Sequence, residues 1–506
     1  MSQKGPNADC LAGFDRFVEQ RRRDWDVPGC SVGIVKGDRV IWSGSFGYRD
    51  LARKLPVDED TRFEIASCAK AITAAAAGVL VDQGKLAWDT PVRDYIRSFR
   101  MCDPVATRRA TVRDLLAHRT GLPHHSGADP ARKRRDLLKR LPYLQPCDEF
   151  RAGFHYSNKS YILAGLVIEA VTGKSWEEFA RNSLLVPIGM KRAKFAAEFR
   201  NSANELSLTN ELAQGYVKTG NGLKPWFSGW AKDLTPADVC LSVGPNGPVA
   251  LSIQDMCQWV KFQLAGHRDP KRMVLRPRTF RELHTPQVVA PGWWCDGKDR
   301  LDASYALGWF VQSYRGHRCV FHGGTGGGFQ AFVALLPNES IGVAVLTNME
   351  TSPVREILAF NVIDRLLGLQ PLPWNQRAKR QAAKTKAQQA IAPRASQRGK
   401  VYASRTPLSS YTGDYSHPGY GELTVFVESG RLRMKHKGWP FDRVHYRLEP
   451  KGNHVFKMGR PAHNVELPKT LKATFKMRKN GECESLSVPF EPSVEDIVFK
   501  RLMGTR

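Results

Sequence analysis

The sequence predicts an α+β protein: an antiparallel sheet flanked by helices, with a helical subdomain between its two strand-rich ends, then a small all-β barrel. Three observations predict it. Strand patterns flank a long helical stretch, at about 28–63 and again at 329–347. A sheet completed from both ends of one domain accounts for that order. Residues 406–506 then switch to short strand candidates separated by Gly, Pro and Asn turns, the pattern of a small barrel or sandwich. The expected division is a first domain at 1–370, a basic connector at 371–405 and a β-domain at 406–506.

Each element has a local reason. Ser31–Val35 and Arg39–Trp42 flank Lys36-Gly37-Asp38, a hairpin turn. Ala66–Gln83 is Ala-rich and closed by Gly84, so a helix is expected. Residues 86–220 are mostly helical in pattern, with an apolar helix at Tyr161–Val171 ended by Thr172-Gly173. Phe329–Leu336, the Pro337-Asn338 turn and Ile341–Thr347 read as an antiparallel pair, and a helix follows from about Pro353 to Leu367. In the β-domain, Leu423–Val427 and Arg431–Lys435 are the clearest strands.

Composition narrows the function class. The 506 residues carry 76 Lys+Arg against 49 Asp+Glu, a formal charge of +27. Nine of those basic residues lie in 371–405, which has no Asp or Glu and reads as a linker or a solvated helix. A second cluster, Arg132 to Arg140, has the pattern of an amphipathic helix with Leu137, Leu138 and Leu141 inward. No zinc-finger, helix-turn-helix or RNA-recognition signature accompanies the charge, so a solvated basic surface is expected rather than nucleic-acid binding. No run reaches the ~18–20 apolar residues of a membrane span. The N-terminus lacks the apolar core of about 7–15 residues that a secretory signal needs, so a cytoplasmic location is expected. The ten cysteines form no C-x-x-C pair and are read as reduced and structural.

Three motifs carry chemistry. Ser67-Cys68-Ala69-Lys70 places a hydroxyl and an amine three residues apart on one helix face. Ser67 falls at the helix start, where unsatisfied N–H groups favour an anionic nucleophile. A serine is a weak nucleophile until a neighbouring base takes its proton, and Lys70 can help if burial lowers its pKa. Tyr156-Ser157-Asn158 supplies a phenol that could act as general base beside a lysine, and an amide that could orient Lys70 or a substrate carbonyl. Its bland alternative is a turn before the helix at Tyr161. His322-Gly323-Gly324-Thr325-Gly326-Gly327-Gly328, read as lying just before a strand, lets backbone approach a ligand, and an edge-strand N–H there could form half of an oxyanion hole. Its bland alternative is a flexible glycine turn. His118, His124, His125 and His322 fit no standard zinc spacing, so no metal is expected.

Together these residues resemble the serine hydrolases of the β-lactamase/penicillin-binding-protein superfamily, on the class C β-lactamase, D-aminopeptidase and esterase branch. The likeness runs from about Val27 to Leu367. It includes Phe46–Asp50, Thr61–Ser67, Gly84–Leu86, Asp89–Val92, Leu115–Leu122, Phe154–Asn158, Gly165–Gly173, Pro187–Met190 and His322–Gly324. The resemblance implies Ser67 as acylated nucleophile, Lys70 assisting proton transfer and Tyr156 as general base. It further implies Asn158 and His322 in the site, an oxyanion hole from the N–H groups of Ser67 and Thr325, and Gly323 and Gly324 beside the substrate. No cofactor is implied. The departure is His322, where many relatives carry Lys. A fixed anchor for a substrate carboxylate is weakened, and the His-x-Gly form resembles D-aminopeptidases and related esterases. Leu408–Tyr415 and Pro418–Gly421 resemble lipocalin-like barrels that follow this domain in some relatives. The expected function is cleavage of amide or ester bonds in a small molecule or peptide, including peptides with D-residues. The rivals are acyl transfer or peptide cyclisation from the same acyl-enzyme, and a non-catalytic scaffold on this fold.

Overall fold

The computed structural model describes the chain except residues 1–9, 126–127, 129–132, 196–197, 199–210, 221, 227–241, 266–272, 293–294, 392–405, 438–444, 460–470 and 503–506. Nine strands form one antiparallel sheet: β1 (Gly29–Lys36), β2 (Arg39–Asp50), β3 (Leu55–Pro56), β4 (Val288–Val289), β5 (Arg300–Tyr305), β6 (Phe310–Tyr314), β7 (His317–Gly326), β8 (Phe329–Leu336) and β9 (Ile341–Thr347). Their order is β3-β2-β1-β9-β8-β7-β6-β5-β4. The two ends of the domain meet at β1–β9, where Val32 faces Val345 and Gly33 faces Ala344. The sheet is thus completed from both ends, as the strand distribution predicts.

Both faces are covered, so the central strands are buried throughout. Alternation divides the side chains between the two layers. Val32, Ile34, Val343 and Val345 join the layer of α1 (Phe14–Asp24) and α5 (Val354–Leu366). Val35, Ala344 and Leu346 join the layer of α2 (Ala69–Asp82), α3 (Asn158–Thr172) and α4 (Ile253–Ala265). Helix α2 is buried on nearly every side from Ala69 to Leu80. Its run of alanines lets α3 and the sheet approach closely.

The basic stretches behave differently from one another. Residues 374–391 form α6 (Trp374–Ile391). Its first turn is anchored: Trp374 lies 5.4 Å from the Phe360 ring, Asn375 accepts from Trp25, and Arg377 pairs with Asp299. Beyond that turn its basic residues face solvent. Residues 392–405, and Arg132 of the second cluster, lie outside the described residues. In that cluster Leu137, Leu138 and Leu141 are buried, but the segment is a succession of 3₁₀, α and 3₁₀ turns rather than one helix. Arg134 is not part of a solvated surface. It is buried and pairs with Glu169 and Glu177.

The C-terminal residues form a closed barrel of eight antiparallel strands, β10 (Gly413–His417), β11 (Gly421–Glu428), β12 (Arg431–Lys437), β13 (Tyr446–Gly452), β14 (Val455–Met458), β15 (Leu471–Met477), β16 (Cys483–Val488) and β17 (Ile497–Arg501). Alternate residues such as Leu423 and Val425, Leu432 and Met434, and Leu471, Ala473 and Phe475 fill the interior. Closure pairs β10 with β17 through Tyr415 and Arg501.

One packing contact reaches from the fold into the site. Gly165 of α3 lies against Pro245, and a Cβ added there would sit 2.2 Å from the proline Cγ. That closeness lets the 244–246 turn settle on α3. Gly165→Ala is expected to push the turn away and cost about 1–3 kcal/mol of stability, measured by thermal melting. An unchanged melting temperature would mean that the turn is free to shift.

Candidate active site

Ser67 sits in a 3₁₀ turn, Ala66–Cys68, that runs directly into α2. The residue before it, Ala66, holds φ 45, a conformation that non-glycine residues seldom adopt. Lys70, one turn on, is wholly buried. Its Nζ donates to Ser67 Oγ at 3.0 Å and to the Asn246 carbonyl at 2.9 Å. The Tyr156 and Tyr161 rings lie 4.9 and 5.5 Å from the same nitrogen, within cation–π range. The first two sequence motifs therefore meet at Lys70.

Tyr156 and Asn158 stand at the start of α3, whose N-cap is Ser157. The Tyr156 ring lies 4.4 Å from the His118 ring. His118 Nδ1 accepts the Ser157 N–H at 3.1 Å, so this buried histidine supports the motif from beneath. Burial, with Lys70 and His322 nearby, holds His118 well below its usual pKa and therefore neutral. Asn158 Oδ1 is buried with no hydrogen-bond partner among the described residues. The carbonyl that holds Lys70 is instead that of Asn246.

The third motif is itself strand rather than a turn before one. His322–Gly326 closes β7, and only Gly327 and Gly328 turn the chain into β8. Nor is β7 an edge strand. Along β8 it pairs from Val320–Leu335 to Gly326–Phe329, but β6 stops at Phe310–Phe321. From His322 onward one flank of β7 is therefore left unpaired by β6. Gly324 presses on the serine turn: a Cβ there would fall 2.0 Å from the Ile65 oxygen and 3.1 Å from Ser67 N. Its missing side chain serves this backbone contact, which brings the Ser67 amide beside the strand carrying Gly323 and Thr325. Two N–H groups on converging segments can hold a developing oxyanion.

His322 is buried. Its Nδ1 donates to the Gly323 carbonyl at 2.7 Å, leaving Nε2 to accept from the Tyr305 hydroxyl at 3.1 Å. Burial, reinforced by Lys70, lowers its pKa to about 3. His322 is thus neutral at physiological pH and supplies no fixed positive charge.

Sequence reading missed several neighbours. Arg355 reaches from α5 to the Gly324 carbonyl, to Thr325 Oγ1 at 2.9 Å and to the Ala331 carbonyl at 3.3 Å. The available signal was its helix phase. Arg355 shares the i, i+3, i+4, i+7 stripe of Leu358, Ala359 and Val362, all buried. Asn246 acts through its backbone and left no side-chain signal. Glu64, three residues before Ser67, packs beside Gly327, and the neighbouring Glu350 accepts the Gly328 N–H at 3.1 Å. Burial, and then Glu350, raise Glu64 to about 7. Among the described residues no group of three or more His, Cys, Asp or Glu is arranged to hold a metal ion. None of their helices is long and apolar enough to cross a membrane.

A serine and a buried lysine at a helix start, with a tyrosine ring beside the lysine, fit the serine-hydrolase class. The chain belongs to the Beta-lactamase family, whose model matches residues 14–367. A second family model, a domain of unknown function, matches residues 397–501 and so covers the barrel. Unguisins hydrolase ungD' of Aspergillus campestris is 30% identical over 443 residues, covering 83% of this chain and 78% of that protein. Protein flp of Staphylococcus aureus is 28% identical over 355 residues, and the match spans 65% of its length. The octameric penicillin-binding protein homologue of Pyrococcus abyssi shares the fold with a TM-score of 0.61 at 21% identity, over 97% of this chain and 100% of that one. SurE aligns at 0.59 and 20% identity, over 98% and 100%. Family membership and the hydrolase relative make this chain a serine hydrolase in general terms.

Two measurements probe the electrostatics. Nitrogen-15 NMR should show His322 neutral from pH 8 down to about 4; titration near the ordinary ~6.5 would contradict its burial. Glu64 carries a stability signature. Below its ordinary 4.5 both folded and unfolded chains hold the proton. Between 4.5 and about 7 only the folded chain does, so stability falls as pH rises through this window. Glu64→Gln should remove that fall and gain roughly 1–3 kcal/mol above pH 7. Parallel pH profiles for wild type and variant in denaturant melts would refute it.

Proposed function

We propose that the protein is a serine hydrolase that forms an acyl-enzyme on Ser67 and cleaves amide or ester bonds, with peptides containing D-residues among the candidate substrates. The observation that carries the reading is the 3.0 Å contact between Lys70 Nζ and Ser67 Oγ. In this mechanism Ser67 Oγ attacks the substrate carbonyl carbon and its proton passes to the Lys70–Tyr156 pair. The N–H groups of Ser67 and Thr325 hold the tetrahedral oxyanion. On collapse, the C–N or C–O bond breaks and the leaving group takes the proton back by way of Tyr156. Water then attacks the acyl carbon by the same route, releasing the acid and restoring Ser67. Asn158, its Oδ1 without a partner among the described residues, is suited to accept a substrate N–H. Gly323 and the unpaired flank of β7 would lie along the substrate backbone.

A neutral His322 supports substrates that need no cationic carboxylate anchor at that position, and it weighs against efficient β-lactam hydrolysis. The relative named as a hydrolase of unguisins supports hydrolysis over a scaffold role. Transfer of the acyl group to an amine or alcohol uses the same groups and differs only in the acceptor.

Intact-mass spectrometry after exposure to a panel of esters, D-peptides and β-lactams tests the reading. An adduct is expected on wild type and none on Ser67→Ala. Lys70→Ala and Tyr156→Phe should slow acylation by ~10²–10⁴-fold. A well-folded wild type that no ester, peptide or fluorophosphonate labels would overturn the assignment.

A further inference from the structure

We infer that the C-terminal barrel is a working part of the active site: through Glu491 and Tyr420 it positions the Tyr156-Ser157-Asn158 motif. The catalytic meaning of this placement rests on the acyl-enzyme reading above; the placement itself is structural.

The link is the segment Pro123–His125. From the catalytic side two side chains hold it. Ser157 Oγ donates to the Pro123 carbonyl at 3.0 Å. Lys159 Nζ donates to the His124 and His125 carbonyls at 2.9 and 3.0 Å. Ser157 follows Tyr156, and Ser157 and Lys159 flank Asn158. The anchors are thus interleaved with the two residues proposed to act. Ser157 and Lys159 are both wholly buried, so their polar groups depend on these carbonyls being in place.

From the other side the barrel holds the same segment. Glu491, between β16 and β17, accepts the His125 N–H on Oε2 at 2.7 Å. Ser493 fixes that carboxylate by donating its hydroxyl and its N–H to Oε1. Tyr420, between β10 and β11, contacts His125 Nδ1 at 2.6 Å. The direction follows from the other ring nitrogen. His125 Nε2 lies 2.8 Å from the Gln145 carbonyl, which can only accept, so Nε2 carries the hydrogen and Nδ1 accepts the Tyr420 hydroxyl. Burial, with Lys159 nearby, keeps this ring neutral. His125 itself holds φ 49, a backbone state that needs such support. Tyr420 and Glu491 are buried in the contact, and Gly419 packs on Tyr143 and Leu144 beside it.

These contacts form a continuous chain: barrel side chains, the 123–125 backbone, Ser157 and Lys159, then Tyr156 and Asn158. Loosening the first link leaves two buried polar side chains seeking carbonyls that have moved. An ångström of displacement at a reacting group can cost a hundredfold in rate. Glu491 and Tyr420 touch no reacting atom and are positioning residues.

The test uses the full chain with Glu491→Ala, Glu491→Gln and Tyr420→Phe. Two readouts are taken: hydrogen exchange of peptides covering 118–125 and 154–160, and the rate of Ser67 labelling by a fluorophosphonate. In E491A, exchange in both peptides should rise several-fold and labelling should slow at least ~10-fold. E491Q, whose amide oxygen still accepts the His125 N–H, should retain most of the labelling rate. Y420F should show a smaller loss of the same kind, and it decides the matter if E491A does not fold. Wild-type exchange in 154–160 in folded E491A or Y420F overturns the proposal, whatever happens to labelling. Equal loss in E491Q and E491A also overturns it. Should wild type itself resist labelling, the acyl-enzyme reading fails while the exchange arm still judges the coupling.

Discussion

A wholly buried amine, that of Lys70, constrains the rest of this molecule. A polar nitrogen taken out of water is tolerated only where fixed dipoles replace the lost solvent. Here those are the Ser67 hydroxyl, the Asn246 carbonyl and the faces of two tyrosine rings. Each partner imposes a demand on its surroundings. Asn246 reaches Lys70 because Gly165 admits Pro245 against α3. Ser67 reaches it because Ala66 accepts an unusual backbone angle. Tyr156 reaches it because Ser157, at the N-cap position of α3, is held by His118 and Pro123. The alanines of α2 and the small residues around them make room for this convergence.

The strand opposite is shaped by a matching constraint. β7 must carry its polar backbone to the serine turn past the point where β6 stops pairing with it. It is held from the remaining sides: β8 pairs along its length, Gly324 abuts Ile65, and Arg355 binds the Gly324 carbonyl and the Thr325 hydroxyl from below. An arginine beneath a strand gives it rigidity that an edge otherwise lacks. From Gly323 on the strand is partly open to solvent, with Thr325 exposed.

What was legible in the sequence divides along physical lines. Elements governed by local pattern were readable: the β1–β2 hairpin, the β8–β9 pair, the ends of α5, and the strands at 423 and 431. So was the candidate constellation, because serine, lysine and tyrosine announce chemistry by type. What failed depended on tertiary context. His322–Gly326 looked like a turn because glycine is poor in strands, yet pairing with β8 overrides that preference. Asn246 contributes only its backbone. Arg134 belonged to a basic run and looked solvated, but Glu169 and Glu177 from distant positions draw it inside. The anchoring of α6 rests on Trp374 meeting Phe360 and Tyr314, contacts that no local pattern specifies.

His322 and Lys70 together show why one substitution in a motif changes more than one residue. A lysine at 322 would set two ammonium groups in one buried site, and the second would need its own anionic partner. With histidine, the field of Lys70 and the loss of solvent drive the ring neutral, and Tyr305 and the Gly323 carbonyl satisfy its two nitrogens. His322 then adds no charge beside Lys70, which is held by Ser67 and Asn246, while Arg355 is bound to the Gly324 carbonyl and Thr325. His322 therefore offers an anionic group on a substrate no counter-charge. Under the proposed function, selectivity would rest on shape and backbone pairing along β7 rather than on charge at His322. Those features depend on the register of the strand and on the placement of Tyr156 and Asn158 opposite it. Under the proposed function, the scaffold that places these residues, barrel included, would bear on selectivity as well.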